Sequence, residues 1–525
     1  MLNSSFSHVI KLFFGEHKTD FKHMKKLLFY SIILFLVFEN TTAQVNVSGH
    51  FYGEDAFKFS QYSNYGSART AGMGGAFTAL GGDASNTFIN PAGLAFYNKS
   101  EFSISTVIRS LNTSGTYLGN NTTRSSSNAG LGQATVVISK PGKGTKQKRS
   151  AIGISYNTLV NFNNEFDYSG SNNRSSMMDY FAEKATQRGV NTTVLDSEFD
   201  TNTGFAQTPT AMYYQAYMID AFDGGYVVVE PSFPVEQKGT VSENGNLGQL
   251  NVSYGSNFND RMYVGASLGL QTLSYNMVNN HNEYFPNGMI FNGFGTVDDL
   301  IISGTGVNVT LGAIYRVSRI VRLGVNVTTP TAMRLKETIY SSVQIDQKPG
   351  TFKTNFNTIE TLPGDFNYKI TSPLRGNVGV SFMLPKKIGM FSVEAEYVGY
   401  RNMGVNDKND NVWSSEQKRG IQDYYKNVVN FKTGIELRKD KMRLRGGVNY
   451  LADAINDGSG VDRSKLILSG GLGYRGARFF ADAAYSANSF NSTFSPYTLS
   501  NPENFASSLV TNKVGSLSFS LGMFF

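Results

Sequence analysis

Glu394 and Glu396 stand two residues apart in Phe391-Ser392-Val393-Glu394-Ala395-Glu396-Tyr397. On an extended chain that spacing puts both carboxylates on one face, where a pair of carboxyls can act as general acid and general base. The flanking residues assign them another task. Phe391, Val393, Ala395 and Tyr397 occupy the opposite face, and the same alternation recurs downstream, where Phe431, Thr433, Ile435 and Leu437 oppose Lys432, Gly434, Glu436 and Arg438. Met442, Leu444, Val448 and Tyr450 likewise oppose Arg443, Arg445 and Asn449. A mixed row of Lys, Arg and Glu on one face of several adjoining strands braces a wall and orders water, so no catalytic residue is assigned.

Histidine chemistry is sparse after the N-terminal leader. His50 and His281 are far apart, and they are read as surface residues of an N-terminal plug and an external loop. A Ser/His hydrolase needs a partnered imidazole, and haem iron commonly takes one as axial ligand. The absence of cysteine excludes disulfides and thiolate metal sites. No metal and no cofactor is expected. The formal charge of +7 is read as spread through the chain, with no basic patch interleaved with aromatics of the kind nucleic acid requires. The segment carrying Lys140, Lys143, Lys146, Lys148 and Arg149 holds no acid and reads as a solvated turn.

Residues suited to binding lie in a long connection at 163–246. Met177, Met178 and Phe181, with Ala185, form a short helical apolar stripe, and Met212, Tyr213, Tyr214, Tyr217 and Met218 fall in a second apolar stretch, Ala211–Ile219. Methionine repacks around irregular shapes, and tyrosine offers an apolar body with a polar tip. These helices either capture a greasy ligand or cap the fold and bury one another.

The elements that must position these groups are strands. Leu517, Phe519, Leu521, Met523 and Phe525 alternate with Ser518, Ser520 and Gly522. An apolar outer face backed by small polar residues suits a wall between lipid and a wet lumen. About fourteen such segments can be counted, near 101–108, 132–139, 150–162, 247–256, 262–273, 307–316, 321–327, 376–384, 391–397, 431–438, 442–450, 466–475, 479–486 and 517–525. Short connections at Asn257–Arg261, Val317–Ile320, Pro385–Gly389, Lys439–Lys441 and Gly476–Arg478 alternate with long ones near 281–300, 340–365, 401–426 and 487–511. That is the periplasmic and extracellular asymmetry of a bacterial outer-membrane barrel, with both barrel termini on the periplasmic side. A large soluble β-sandwich predicts neither feature. The expected fold is all-β: a transmembrane antiparallel β-barrel of about fourteen strands at 99–525. The 54 glycines, 13% aromatic content and mean hydropathy of −0.24 agree with it. Phe525 is read as the assembly signal recognised by the barrel assembly machinery. Leu27–Phe38, following Met24-Lys25-Lys26, is too short to span a bilayer and reads as part of a secretory signal peptide within 1–43, with cleavage after Ala43 and Met24 as the true start.

Between that leader and the first strand, a plug at 44–98 is expected. It carries Gly72, Gly74, Gly75 and Ala76, then Asp83-Ala84-Ser85, then Asn90-Pro91-Ala92-Gly93-Leu94. These residues resemble the N-terminal hatch of the FadL/TodX family of outer-membrane long-chain fatty acid and hydrocarbon transporters, in the form of a Bacteroidetes-type member. Strong similarity covers about thirty residues. The resemblance implies a fourteen-stranded barrel blocked by the hatch, with Gly72, Gly74, Gly75, Asn90, Pro91, Ala92 and Gly93 as hatch and gating positions. It also implies passive uptake of a hydrophobic, fatty-acid-like molecule, captured outside and released through the wall. Barrels of the PorV type in protein secretion carry a similar hatch, so a structural scaffold is the alternative; haem reception is a weaker one. The expected partners are a hydrophobic small molecule, outer-membrane lipid and lipopolysaccharide, with no nucleic acid and a monomeric barrel.

Overall fold

The computed structural model describes residues 51–62, 66–142, 146–230, 233–351 and 356–525. The leader at 1–43 and His50 lie outside them. Fourteen strands close into an antiparallel barrel. β1 (Glu101–Tyr117) pairs with β2 (Asn120–Pro141) on one side and with the last strand on the other. β3 (Gln147–Asn161, continued by Asn164–Asn172), β4 (Val235–Phe258), β5 (Met262–Tyr284) and β6 (Phe291–Arg316) follow. β7 is built of Val321–Thr328 and Ala332–Gln347, and β8 of Gly364–Thr371 and Arg375–Met383. β9 (Gly389–Val398), β10 (Val428–Lys439), β11 (Met442–Leu451), β12 (Lys465–Arg475), β13 (Phe479–Phe494) and β14 (Ser508–Phe524) complete the circle. No edge remains unpaired around the base, as a sheet in hydrocarbon requires.

Alternation decides which face meets lipid. Ile104, Ile108, Ile152, Ile154, Val393, Leu444, Leu521 and Met523 are exposed on the outside, whereas Ser155, Glu394, Arg445, Ser518 and Ser520 are buried inside. A charge on the lipid face near the bilayer midplane would cost about 2–4 kcal/mol, which fixes the register of every strand.

Three expectations need correction. The segment near 281–300 is mostly strand rather than loop, and about half of that near 487–511 is strand, because β5, β6, β13 and β14 keep pairing far above the apolar belt. The long connection at 163–246 narrows for the same reason: Asn164–Asn172 and Val235–Glu243 pair with each other, and Asn246 pairs with Asn161. The charge is not spread evenly. Exposed cations gather on the short turns, where Lys140, Arg261, Arg319, Lys387, Lys441 and Arg478 stand, while exposed acids such as Asp196, Asp220 and Asp223 lie in the external insertion.

Helix α1 (Gly53–Lys58) and helix α2 (Ala68–Gly72) lie within the lumen. The external insertion carries α3 (Met177–Arg188), α4 (Thr192–Ser197) and α5 (Pro209–Gln215), and the loop after β9 carries α6 (Asn411–Tyr424). Ser176 caps α3 by accepting from the Met178 amide, and Asp179 returns the bond to the Ser176 amide at 2.8 Å. Ile421 of α6 is buried against α1, where Phe57 stacks on Tyr425 at 4.6 Å.

Candidate functional site

The hatch forms the floor. Ser67 caps α2, and beyond that helix Gly74 and Gly75 adopt left-handed φ of 63° and 77°. The backbone at Met73–Gly74 presses on the wall where Gly434 of β10 pairs with Gly447 of β11, and a Cβ on either wall glycine would overlap it. A second notch, made by paired Gly255, Gly265 and Gly312, receives Asn90, Pro91 and Ala92. Small residues on both sides let backbone meet backbone.

The motif residues lock this turn from within. Asp83 accepts from Ser67 Oγ at 2.8 Å and from the Ser85 amide at 3.0 Å. Asn90 Nδ2 donates to Thr78 O at 2.7 Å, while its Oδ1 accepts from the Ala92 amide at 3.2 Å.

The inward charge row grips the hatch rather than water. Arg69 Nε lies 2.8 Å from Glu436 Oε2, which Arg445 Nε shares at 2.8 Å, and Arg445 reaches Asp482 Oδ1 at 2.6 Å. Glu394 accepts from the Thr78 amide at 2.9 Å and pairs with Lys432 at 3.3 Å; Glu396 pairs with Lys432 and Arg375 at 3.2 Å each. Arg443 does not join the row: its guanidinium bonds the carbonyls of Asp440 and Met442 at the turn.

Above the floor lies a cavity of about 2110 Å³. Ala71, Gly75, Phe88 and Ile89 of the hatch close it below, α1 and the barrel wall flank it, and Met177, Tyr180 and Phe181 of α3 roof it. Its polar groups are mostly committed. Lys58 is held by Glu243 at 2.7 Å and Tyr275 at 2.8 Å. Two cations of the barrel wall that line it differ. Arg109 donates to Asn163 O at 2.7 Å, and Lys465 donates to Gln61 Oε1 at 2.9 Å with its ammonium over the Phe490 ring. Neither meets a carboxylate in an ion pair among the described residues.

The cavity reaches the wall between β2 and β3, where Asn128, Leu131, Thr158 and Asn161 line it. Backbone pairing of these strands ends at Gln133↔Asn157. Both strands bulge there. Gly132 is the extra residue between Gln133 and Leu131 against β1, and Leu159 is the extra residue between Thr158 and Val160 against β4. Each bulge bends its strand and interrupts the ladder. Side chains bridge the seam instead: Thr158 Oγ1 donates to Leu131 O at 2.6 Å, and Asn128 Nδ2 to Asn161 Oδ1 at 3.2 Å. Higher up, Arg124 spans to Glu165 and Asp167, and Thr122 Oγ1 donates to Asp167 O. Leu131 is opposite Thr106, between the exposed Ile104 and Ile108, so the foot of the seam lies in the apolar belt.

Of the methionine and tyrosine positions singled out in the insertion, Met177 and Phe181 line the cavity. Met178, Met212, Tyr213 and Met218 are buried in a core the insertion shares with Phe291 and Phe294 of β6 and Val343 of β7, where Phe181 stacks on Tyr213 at 3.8 Å; Tyr214 packs at its edge and Tyr217 faces solvent. Tyr180, Arg109 and Lys465 were not anticipated. Strand parity carried a signal for the two cations, since Arg109 follows the outward Ile108 and Lys465 precedes the outward Leu466.

His281 is a further correction. It lies in β5, fully buried, with Nδ1 2.9 Å from Tyr168 Oη and Nε2 3.0 Å from Glu283. Both ring nitrogens are engaged, so it presents none to a haem iron. The extension of β5 past the belt turned an expected loop residue into an enclosed one. Glu283 also accepts from the Met177 amide and Gln237 Nε2 at 2.8 Å each, and from Ser176 Oγ, docking the start of α3 on the wall.

No family model and no curated sequence matches the chain. Solved structures do. A Pseudomonas aeruginosa FadL homologue matches with a TM-score of 0.51 at 12% identity, over 88% of this chain and 98% of its own. The Pseudomonas putida toluene transporter TodX matches with a TM-score of 0.51 at 11% identity, over 89% and 99%. At such identity the likeness establishes the fold alone: a closed fourteen-stranded barrel of the FadL/TodX type.

Proposed function

We propose that this chain is an outer-membrane channel for passive uptake of hydrophobic small molecules, with a long-chain fatty-acid-like amphiphile as its substrate. The observation that carries the reading is the continuity between the roofed cavity and the β2–β3 seam, whose foot opens within the apolar belt. A greasy molecule leaving sideways enters lipid without crossing the charged, glycine-notched floor. Met177, Tyr180 and Phe181 form the roof under which the ligand first lodges. Arg109 and Lys465, lacking ion-pair carboxylates of their own, supply a place for an anionic head, since a carboxylate bound there regains charge-assisted hydrogen bonds lost with water. Gly72, Gly74, Gly75, Asn90, Pro91, Ala92 and Gly93 hold the floor while the side-chain bridges across the seam part.

The chain has no cysteine, so single pairs can be introduced cleanly. Cells lacking their own fatty acid porin and expressing the chain should take up labelled oleate above vector control. A crosslink between cysteines placed at Leu131 and Thr158 should abolish that uptake, and reduction should restore it. Uptake that persists through the locked seam would move the route to the hatch.

A scaffold role in protein secretion is the second reading, favoured by exposed apolar residues on the external face, including Phe222, Met289 and Val412. Stoichiometric crosslinking of that face to one protein, without uptake of any hydrophobic probe, would favour it.

A further inference from the structure

We infer that the periplasmic rim of the barrel is a binding surface for anionic phospholipid head groups of the leaflet in which it sits. Every short turn carries at least one exposed cation: Lys140, Arg261, Arg319, Lys387, Lys441 and Arg478 mark the six in order. None of these six enters an ion pair among the described residues. Exposed acids at that end are Asp260 and Asp440, together with the terminal carboxylate. Asp260 is itself tied to Asn257 Nδ2 at 2.8 Å.

The level of the ring decides what it meets. Large apolar side chains point outward directly beside the cations: Met262 after Arg261, Ile320 after Arg319, Ile388 after Lys387, Met442 after Lys441 and Phe479 after Arg478, all well exposed. These residues carry the apolar belt down to the turns themselves. The turns therefore lie at the phosphate layer, where long basic side chains extend their apolar stems along the belt and place their charges among head groups. Lipid fits better than an acidic periplasmic protein because the cations surround the whole circumference. A docked protein would need them on one side.

The surface is independent of the uptake route, and its test needs no transport. The purified full chain would be examined by native mass spectrometry in micelles holding equal dioleoylphosphatidylglycerol and dioleoylphosphatidylcholine. Wild-type protein should keep phosphatidylglycerol in about tenfold preference. The six-site variant K140Q/R261Q/R319Q/K387Q/K441Q/R478Q should lose most of the preference, and the pair K387Q/K441Q should lose part of it if the larger variant folds poorly. Substituting Lys408, Lys418, Arg419 and Lys426 on the external side by Gln should leave it intact. Excess inorganic phosphate should not strip the adducts; if it does, the ring holds free anions and the inference fails. Parity in the wild type, or an undiminished preference in the folded six-site variant, would equally overturn it. So would retention of one acidic protein in place of lipid.

Discussion

Arg69 of the hatch and Glu436 of β10 face each other across the lumen with Nε and Oε2 2.8 Å apart, and both side chains are almost completely enclosed. The same carboxylate neutralises Arg445 and Arg438, so one acid holds three guanidinium groups at the junction of plug and wall. Removing it breaks a buried network, leaving Arg445 only Asp482 and Arg69 only Asp83 at 3.7 Å, a loss of up to about 3–5 kcal/mol in comparable sites. Glu436→Ala should lower the free energy of guanidinium unfolding of the detergent-folded barrel by that amount, whereas Arg443→Ala, at the turn, should change it little.

The glycine notch makes a second prediction. At Gly447 a side chain would overlap the Met73–Gly74 backbone, with strand on one side and hatch on the other. Gly447→Val should dislodge the floor and let small ions through in planar bilayers, where the wild-type barrel should be silent. A silent variant would mean that the hatch yields without opening.

Replacement of the two lumen cations separates the head of the ligand from its tail. Arg109→Met with Lys465→Met keeps an unbranched apolar stem at each position and removes the charge. Oleate affinity, followed by quenching of a bound fluorescent analogue, should fall about tenfold, in keeping with loss of about 1.5–3 kcal/mol from a hydrogen bond to a charged group. Oleyl alcohol should bind both proteins alike.

The roof depends on Glu283. Glu283→Leu removes the acceptor for the Ser176 hydroxyl, the Met177 amide and Gln237. Each buried donor left unmet costs about 1–3 kcal/mol. Trypsin should then cut within the insertion, at Lys184 or Arg188, at concentrations that leave the wild type whole.

Acid should loosen the same insertion from its outer side. Hydrogen bonds from Arg188, foremost, and from Thr208 hold the Glu198 carboxyl below its ordinary value, against a smaller opposing effect of burial. A depressed folded pKa means that the contribution is complete above the unfolded value, about 4.3, and disappears as pH falls through the folded value. Hydrogen exchange of the α3–α4 segment should therefore rise as pH drops below about 4 after correction for the intrinsic rate, and Glu198→Gln should flatten that rise.

Period-2 alternation determined much of this protein before any coordinate was known. Phe391/Glu394 and Leu521/Ser520 tell lipid face from lumen locally, because a strand between hydrocarbon and water has two solvents and each residue belongs to one. The short turns were equally legible, and so was the hatch motif, whose Asp83 and Asn90 each accept a bond from the amide two residues on. Tertiary structure decided the rest. His281 read as a loop residue because β5 turns polar above the belt, and only its pairing with β4 and β6 shows that it is enclosed. Gly434 and Gly447 look like ordinary barrel glycines until Met73 and Gly74, far off in sequence, fill the space they leave. The seam depends on Gly132 and Leu159, two bulges whose effect exists only where β2 and β3 meet. Sequence fixes the solvent of each side chain, a property of neighbours along the chain; closure of the sheet fixes which distant strands meet, and the floor, the cavity and the gap in the wall arise only from that meeting.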